Sequence, residues 1–173
     1  LHLAERCGIH NVHNSREVDP IAVVRDWVGA RDDRGGANIV VEAIGDSALV
    51  AQATEMAGRH GEVILLGSPR APFPGDMTPV FARLHLLAIR MVGALEWTFP
   101  IAADTERARV TIEGNYRQLL RWIDTGRLIV DPLITHVLAP DQCQAAYAGL
   151  AHRKDEYVGV VFDWAATTAA TQS

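Results

Sequence analysis

Gly35–Pro69 reads GGANIVVEAIGDSALVAQATEMAGRHGEVILLGSP, and its pattern decides the fold. Two short runs rich in Val, Ile and Leu, Asn38–Ile44 and Glu62–Leu66, bracket a segment with helical periodicity. Neither run alternates polar with apolar, which is the pattern of strands buried on both faces of a parallel sheet. Between them Asp46 or Ser47 is placed to cap a helix. Leu49, Val50, Ala53, Met56 and Ala57 recur at helical spacing, and Gly61 stands where a C-terminal glycine cap belongs. The stretch is therefore one βαβ unit. Each strand runs into a glycine turn, Ile44-Gly45-Asp46 and Leu66-Gly67-Ser68. Ligands of open α/β sheets bind outside such carboxyl ends, where glycine lets them approach the backbone.

Upstream, Leu1–Cys7 reads as the end of a helix and Ile9–His13 as a short strand. Asp19-Pro20 pairs a capping aspartate with proline at the first helical position, followed by an apolar face of Ile21, Val24, Trp27 and Val28. Downstream, Thr78-Pro79 starts a helix carrying Val80, Phe81, Leu84 and Leu87, and Ile89–Leu95 reads as a strand. Glu96–Asp104 is irregular. Thr105–Leu128 is expected as a long amphipathic helix, with Val110, Ile112, Tyr116, Leu119, Leu120 and Ile123 on one side and Gly126 near its end. Leu133–Leu138 and Tyr157–Trp164 read as strands, and Pro140 opens the helix between them.

The 173 residues carry 16 basic and 21 acidic side chains, a formal charge of −5. No basic cluster stands out along the sequence, which argues against a nucleic-acid partner. No apolar run approaches the ~18 residues that suggest a membrane span, so no membrane partner is expected. No signal peptide is read at the start of the chain. Cys7 and Cys143 belong to no zinc-type spacing. They are expected as buried reduced thiols, which fits a cytoplasmic setting.

Five blocks resemble the medium-chain dehydrogenases, and among them the zinc-dependent alcohol dehydrogenases. They are GANIVVEAIG (Gly36–Gly45), GEVILLGSP (Gly61–Pro69), MVGALEW (Met91–Trp97), DPLITHVL (Asp131–Leu138) and DEYVGVVFDW (Asp155–Trp164), in the family's order and spacing. The resemblance implies an α/β fold: a partial Rossmann domain, doubly wound around a parallel sheet, over 1–95. A C-terminal segment over 96–164 returns in the family to the GroES-like catalytic domain, and 165–173 is expected as a disordered tail. It also implies an NAD- or NADP-dependent alcohol or polyol dehydrogenase that passes hydride between a small-molecule alcohol and the nicotinamide. The catalytic zinc is bound in the parent protein through residues absent from this chain.

No GxGxxG occurs, and the chain starts at Leu1 within a helical pattern. The expectation is a carboxyl-terminal half, the product of an amino-terminal truncation that leaves two sheet edges open and the chain inactive and poorly soluble alone. The alternatives are a zinc-free quinone or enoyl reductase of the same superfamily and a non-enzymatic dimerising domain.

The resemblance places Ala43, Ile44 and Gly45 against the nicotinamide-side ribose. It sets Leu66, Gly67 and Ser68 beside the nicotinamide, and Gly93, Ala94 and Leu95 on the carboxamide. It also implies a homodimer or tetramer joined through the Ile89–Leu95 edge strand. Glu42 is either near zinc or cofactor, or paired with a neighbouring polar group as a buried charge must be. Trp97 either lines the substrate pocket or packs. Where some relatives carry a basic pyrophosphate ligand, this chain has Val158, Gly159 and Val160. His10 and His13 lie three apart without an acid or Cys to complete a metal set, so no metal ligand and no catalytic group are assigned.

Overall fold

The computed structural model describes residues 1–102 and 110–166. In chain order its elements are α1 (His2–Arg6), α2 (Pro20–Trp27), β1 (Ala37–Glu42), α3 (Ser47–Met56), β2 (Ala57–Leu65), α4 (Thr78–Leu87), β3 (Arg90–Gly93), α5 (Ile112–Asp124), β4 (Ile134–Leu138), α6 (Cys143–His152) and β5 (Gly159–Phe162). Contacts divide the chain into two units. One is His13–Ile112; the other joins Leu1–Val12 to the chain from Glu113 onward.

The first unit is built on a three-stranded sheet, β1-β2-β3, parallel throughout. Asp46 caps α3 by accepting the Ala48 N–H at 2.8 Å, and Asp19 caps α2 by accepting that of Ile21 at 3.0 Å. Both bonds satisfy donors that a helix start leaves open. Ala53, Ala57, Val63, Leu87 and Ile89 form the core, with Val40, Met56, Leu65, Leu84 and Met91 around it. Burying the larger of these, Val63, Leu87 and Ile89, stabilises the fold by about 1.5–3 kcal/mol each.

Several sequence expectations are revised. Gly61 does not end a helix: α3 stops at Met56, because Ala57 is already extended at φ −75° and ψ 134°. Gly61 sits inside β2, where the register slips between Ala37↔Ala57 and Ile39↔Glu62. β1 is covered on one face only, and Ile39 and Val41 stay 62% and 50% exposed. Ile9–His13 is not a strand, having no ladder partner among the described residues. The third strand is shorter than Ile89–Leu95; Ile89 instead joins the core and Ala94 and Leu95 lie in the turn.

The second unit holds β4 and β5, parallel, paired from Ile134↔Gly159 to Leu138↔Phe162 with a register slip between Ile134 and His136, and with α6 as the crossover. Ala146 and Gly149 form the buried side of α6. A side chain at Gly149 would press on the Tyr157 ring, which stacks on His136 at 3.7 Å. The last strand is Gly159–Phe162 rather than Tyr157–Trp164, since Trp164–Ala166 turns into a 3₁₀ coil. Of the expected tail, residues 167–173 lie outside the described residues. Part of the expected helix Thr105–Leu128, residues 105–109, also lies outside them, as do 103 and 104 of the irregular stretch. The described helix starts at Ile112, and its apolar side is open: Tyr116, Leu119, Leu120 and Ile123 are exposed. Gly126 follows it at φ +69°, the glycine stop expected there. Cys143 is exposed and Cys7 half-buried, so neither is the buried thiol expected; α6 turns its small residues inward instead.

Candidate functional site

The carboxyl ends of β1, β2 and β3 lie side by side, so the turns that follow them form one edge. Ala43-Ile44-Gly45, Leu66-Gly67-Ser68 and Gly93-Ala94-Leu95 are neighbours there in sheet order. The nine residues picked from the sequence thus come together, although they lie in three separate stretches.

Glu42 holds the first turn. Its side chain is almost fully buried, and its carboxylate accepts the N–H groups of Ile44 at 2.8 Å and Gly45 at 2.9 Å. The Glu42 carbonyl accepts the N–H groups of Leu66 and Gly67, both at 2.9 Å. One residue therefore ties two turns through four backbone donors. The buried charge is compensated by amides rather than by a cation. Of the two sequence alternatives for Glu42, the polar pairing is the one observed.

The first two turns touch. Gly45 sits at φ +85°, in the left-handed region that favours glycine, and a Cβ there would lie 2.2 Å from the Ser68 carbonyl oxygen. A Cβ on Gly67 would lie 2.1 Å from the Gly45 nitrogen. The third turn is tied by the Ala94 N–H donating to the Leu65 carbonyl at 3.0 Å. Gly93 differs from the other two glycines: nothing lies within 4 Å of where its Cβ would be. That opening is not a packing requirement of the described chain, and it leaves room for a ligand.

The amides of residues 44, 45, 66, 67 and 94 are all spent inside the protein. A ligand at this edge would therefore meet carbonyl oxygens, the Ser68 hydroxyl and apolar side chains. Ile44, Leu66 and Leu95 are all well exposed, and Trp97 beyond them is 85% exposed, so it does not pack as a core residue. A cavity of about 330 Å³ adjoins the first turn, between β1 and α3, with Glu42, Ala43, Ile44, Leu49 and Gln52 in its wall. Among the described residues no three His, Cys, Asp or Glu side chains are grouped to hold a metal ion, so zinc does not fit this part of the chain. No described helix is long and apolar enough to cross a membrane.

Sequence reading missed one constellation. Arg25, Arg34, Arg59 and Arg83 gather at the opposite end of the sheet, around cavities that share Asp33 and Arg83. They are spread over nearly sixty positions, so no charge run announces them.

No protein-family model matches the chain. It is 27% identical over 162 residues, 93% of its length, to YdjJ of Escherichia coli (strain K12), an uncharacterised zinc-type alcohol dehydrogenase-like protein. The chain resembles the zinc-type alcohol dehydrogenases. It spans about 40% of that relative. Among solved structures, benzyl alcohol dehydrogenase from Acinetobacter calcoaceticus superposes with a TM-score of 0.69 at 20% identity, over 94% of this chain and 39% of that one. An alcohol dehydrogenase zinc-binding domain protein from Burkholderia ambifaria gives 0.70 at 22% identity, over 94% and 38%. The fold is accordingly part of a Rossmann-like α/β architecture with parallel sheets.

Proposed function

We propose that this chain supplies the nicotinamide-holding edge of an NAD- or NADP-dependent alcohol or polyol dehydrogenase. The carrying observation is the assembly of the nine turn residues on one sheet edge, with open space only at Gly93 among their glycines. Carbonyl oxygens of the turns would take the carboxamide N–H₂, and Ile44, Leu66 and Leu95 would flank the ring. When bound, the nicotinamide supplies the hydride acceptor or donor for an alcohol carbon. The residues of this chain do the positioning. Glu42 fixes the first two turns through backbone donors, and the exposed apolar side chains keep water from the ring. No acid, base or metal ligand for the chemistry is assigned within the chain. Zinc and the alcohol's oxygen belong to residues elsewhere in the parent protein, and this chain is expected to be inactive alone.

The same reading assigns residues 1–95 to the dinucleotide-binding domain and 96–164 to the segment returning toward the catalytic domain, in a cytoplasmic protein. The outer edge of β3 has no ladder partner among the described residues. Pairing with its symmetry mate would satisfy that edge and give a dimer or tetramer.

The test is titration of the ¹⁵N-labelled chain with reduced nicotinamide mononucleotide. Saturable shifts at residues 43–45, 66–68 and 93–95 are expected. Saturable shifts confined to other residues, or none at all, would remove the proposal. A parallel assay with NAD, NADP and a panel of alcohols should show no turnover, against the ~1–10³ s⁻¹ typical of enzymes.

A further inference from the structure

The chain leaving β3 carries an apolar run that the described residues leave largely uncovered. Leu95, Trp97, Phe99 and Ile101 are all exposed, and all belong to the unit built on the three-stranded sheet. One exposed apolar side chain is ordinary. Four in one short segment, beside a sheet edge that already exposes Ile44 and Leu66, make a patch.

The segment has a defined shape. Glu96–Thr98 forms one 3₁₀ turn, in which the Thr98 N–H and hydroxyl both donate to the Leu95 carbonyl, at 3.2 and 2.7 Å. The Phe99 N–H donates to the Glu96 carbonyl at 2.9 Å, and the Ile112 N–H to the Pro100 carbonyl at 3.0 Å. The segment's polar groups are thus largely spent on its own backbone. Among its side chains, the Glu96 carboxylate and the Trp97 indole N–H have no partner among the described residues; the rest of what it offers is apolar surface. Its place relative to the chemistry is also set. Leu95 closes the third turn, the one proposed to hold the carboxamide. That group sits on the ring carbon next to the one that gives or takes hydride, and a substrate carbon has to come within about 3–3.5 Å of the latter. Two Cα steps of about 3.8 Å separate Leu95 from Trp97, so the indole is rooted within about 8 Å of that turn.

We propose that Trp97, with Leu95 beside it, selects the substrate, and that the alcohol it selects has an aromatic, apolar body rather than a chain of hydroxyls. This rests on the nicotinamide lying at the same edge. The indole gives an aromatic ring a flat partner, and burying the two against each other is favourable. A polyol would bring several hydroxyls to a wall with few free polar groups, and a hydroxyl buried without a partner is unfavourable. Trp97 acts by binding and moves no proton.

The test saturates the whole ¹⁵N-labelled chain with reduced nicotinamide mononucleotide and then titrates it with phenethyl alcohol or xylitol. A reduced nicotinamide and an alcohol cannot exchange hydride, so the complex persists. The Trp97 indole N–H signal, assigned by its loss in Trp97→Ser, should shift saturably with phenethyl alcohol, on one binding curve with the Leu95 amide. Xylitol should bind ~10-fold more weakly or worse. Trp97→Ser, a change at an exposed position, should weaken phenethyl alcohol by ~10-fold, read at the Leu95 amide. Three results would overturn the selection: an indifferent Trp97 signal, xylitol binding as tightly as phenethyl alcohol, or Trp97→Ser binding as the parent does. If the mononucleotide still moves residues 43–45, 66–68 and 93–95, the nicotinamide edge stands and the patch is a seat for the rest of the parent protein. A mononucleotide that moves none of them removes both readings.

Discussion

The two ends of the three-stranded sheet solve the same problem with opposite charges. At the carboxyl end one buried residue, Glu42, collects backbone N–H groups from two turns, those of Ile44 and Gly45 on its carboxylate and those of Leu66 and Gly67 on its carbonyl. At the amino end a guanidinium, Arg83, collects four backbone carbonyls from α3, its exit and the preceding loop. Glycine also plays two parts. Gly36, Gly58 and Gly61 at the amino end, and Gly45 and Gly67 at the other, let backbones come within contact of one another. Gly93 closes nothing. Close approach between protein segments explains five glycines and not the sixth, where the proposed ligand would lie.

The largest effect is expected where backbone would have to move. Gly67→Val places a branched side chain against the Gly45 turn, and a loss of ~3 kcal/mol or more in urea unfolding should follow. A variant as stable as the parent would mean that the two turns do not touch. Next comes Glu42→Ala, which strands the Ile44 and Gly45 amides in a buried place. About 2–3 kcal/mol should be lost, with Glu42→Gln, which keeps an acceptor, losing less. Equal losses for the two would show that the carboxylate is not acting as an acceptor. Arg83→Met should be milder, about 1–2 kcal/mol, because carbonyls at a half-buried helix end can turn to water. A loss larger than that of Glu42→Ala would invert the comparison.

Much of this was legible in the sequence because it is local. Asp19-Pro20, Asp46 and the aliphatic runs around Val40 and Val63 carry their own capping and burial signals, and the elements formed where those signals are. The glycine turns at Gly45 and Gly67 stand directly after their aliphatic runs, and the place of Gly93 came from the family resemblance. What was not legible depends on partners distant in the chain. The glycine at 61 looks like a helix stop, but its conformation is set by Ala37 and Gly58 across the sheet. Arg83 looks like a solvated helix residue until α3 ends beside it. Arg25 and Arg59 come to two cavities that share Arg83 only through the fold. The amphipathic pattern of α5 was legible, but a pattern alone does not say what its apolar side, exposed here, packs against.

A subtler check concerns the start of α4, the helix that carries Arg83. The Thr78 side chain and N–H both donate to Asp76, the latter at 2.8 Å, which holds the Asp76 carboxyl below its usual range. A depressed carboxyl stabilises the fold at pH values above its unfolded pKa, and this is lost as pH falls through the folded one. Asp76→Asn should therefore differ slightly from the parent in urea midpoint at neutral pH, and the two should converge under acid. A gap that widens on acidification would have the wrong sign.

Gly93→Val decides the matter most directly. Its Cβ enters open space on a strand that tolerates branched residues, so the unfolding midpoint should stay where it is. Binding of reduced nicotinamide mononucleotide, followed by its fluorescence, should weaken by ~10-fold or more, because the side chain occupies the room a ligand needs. Unchanged stability with lost binding is the predicted result. Unchanged affinity in a stable variant would contradict the claim that this edge of the sheet holds the nicotinamide.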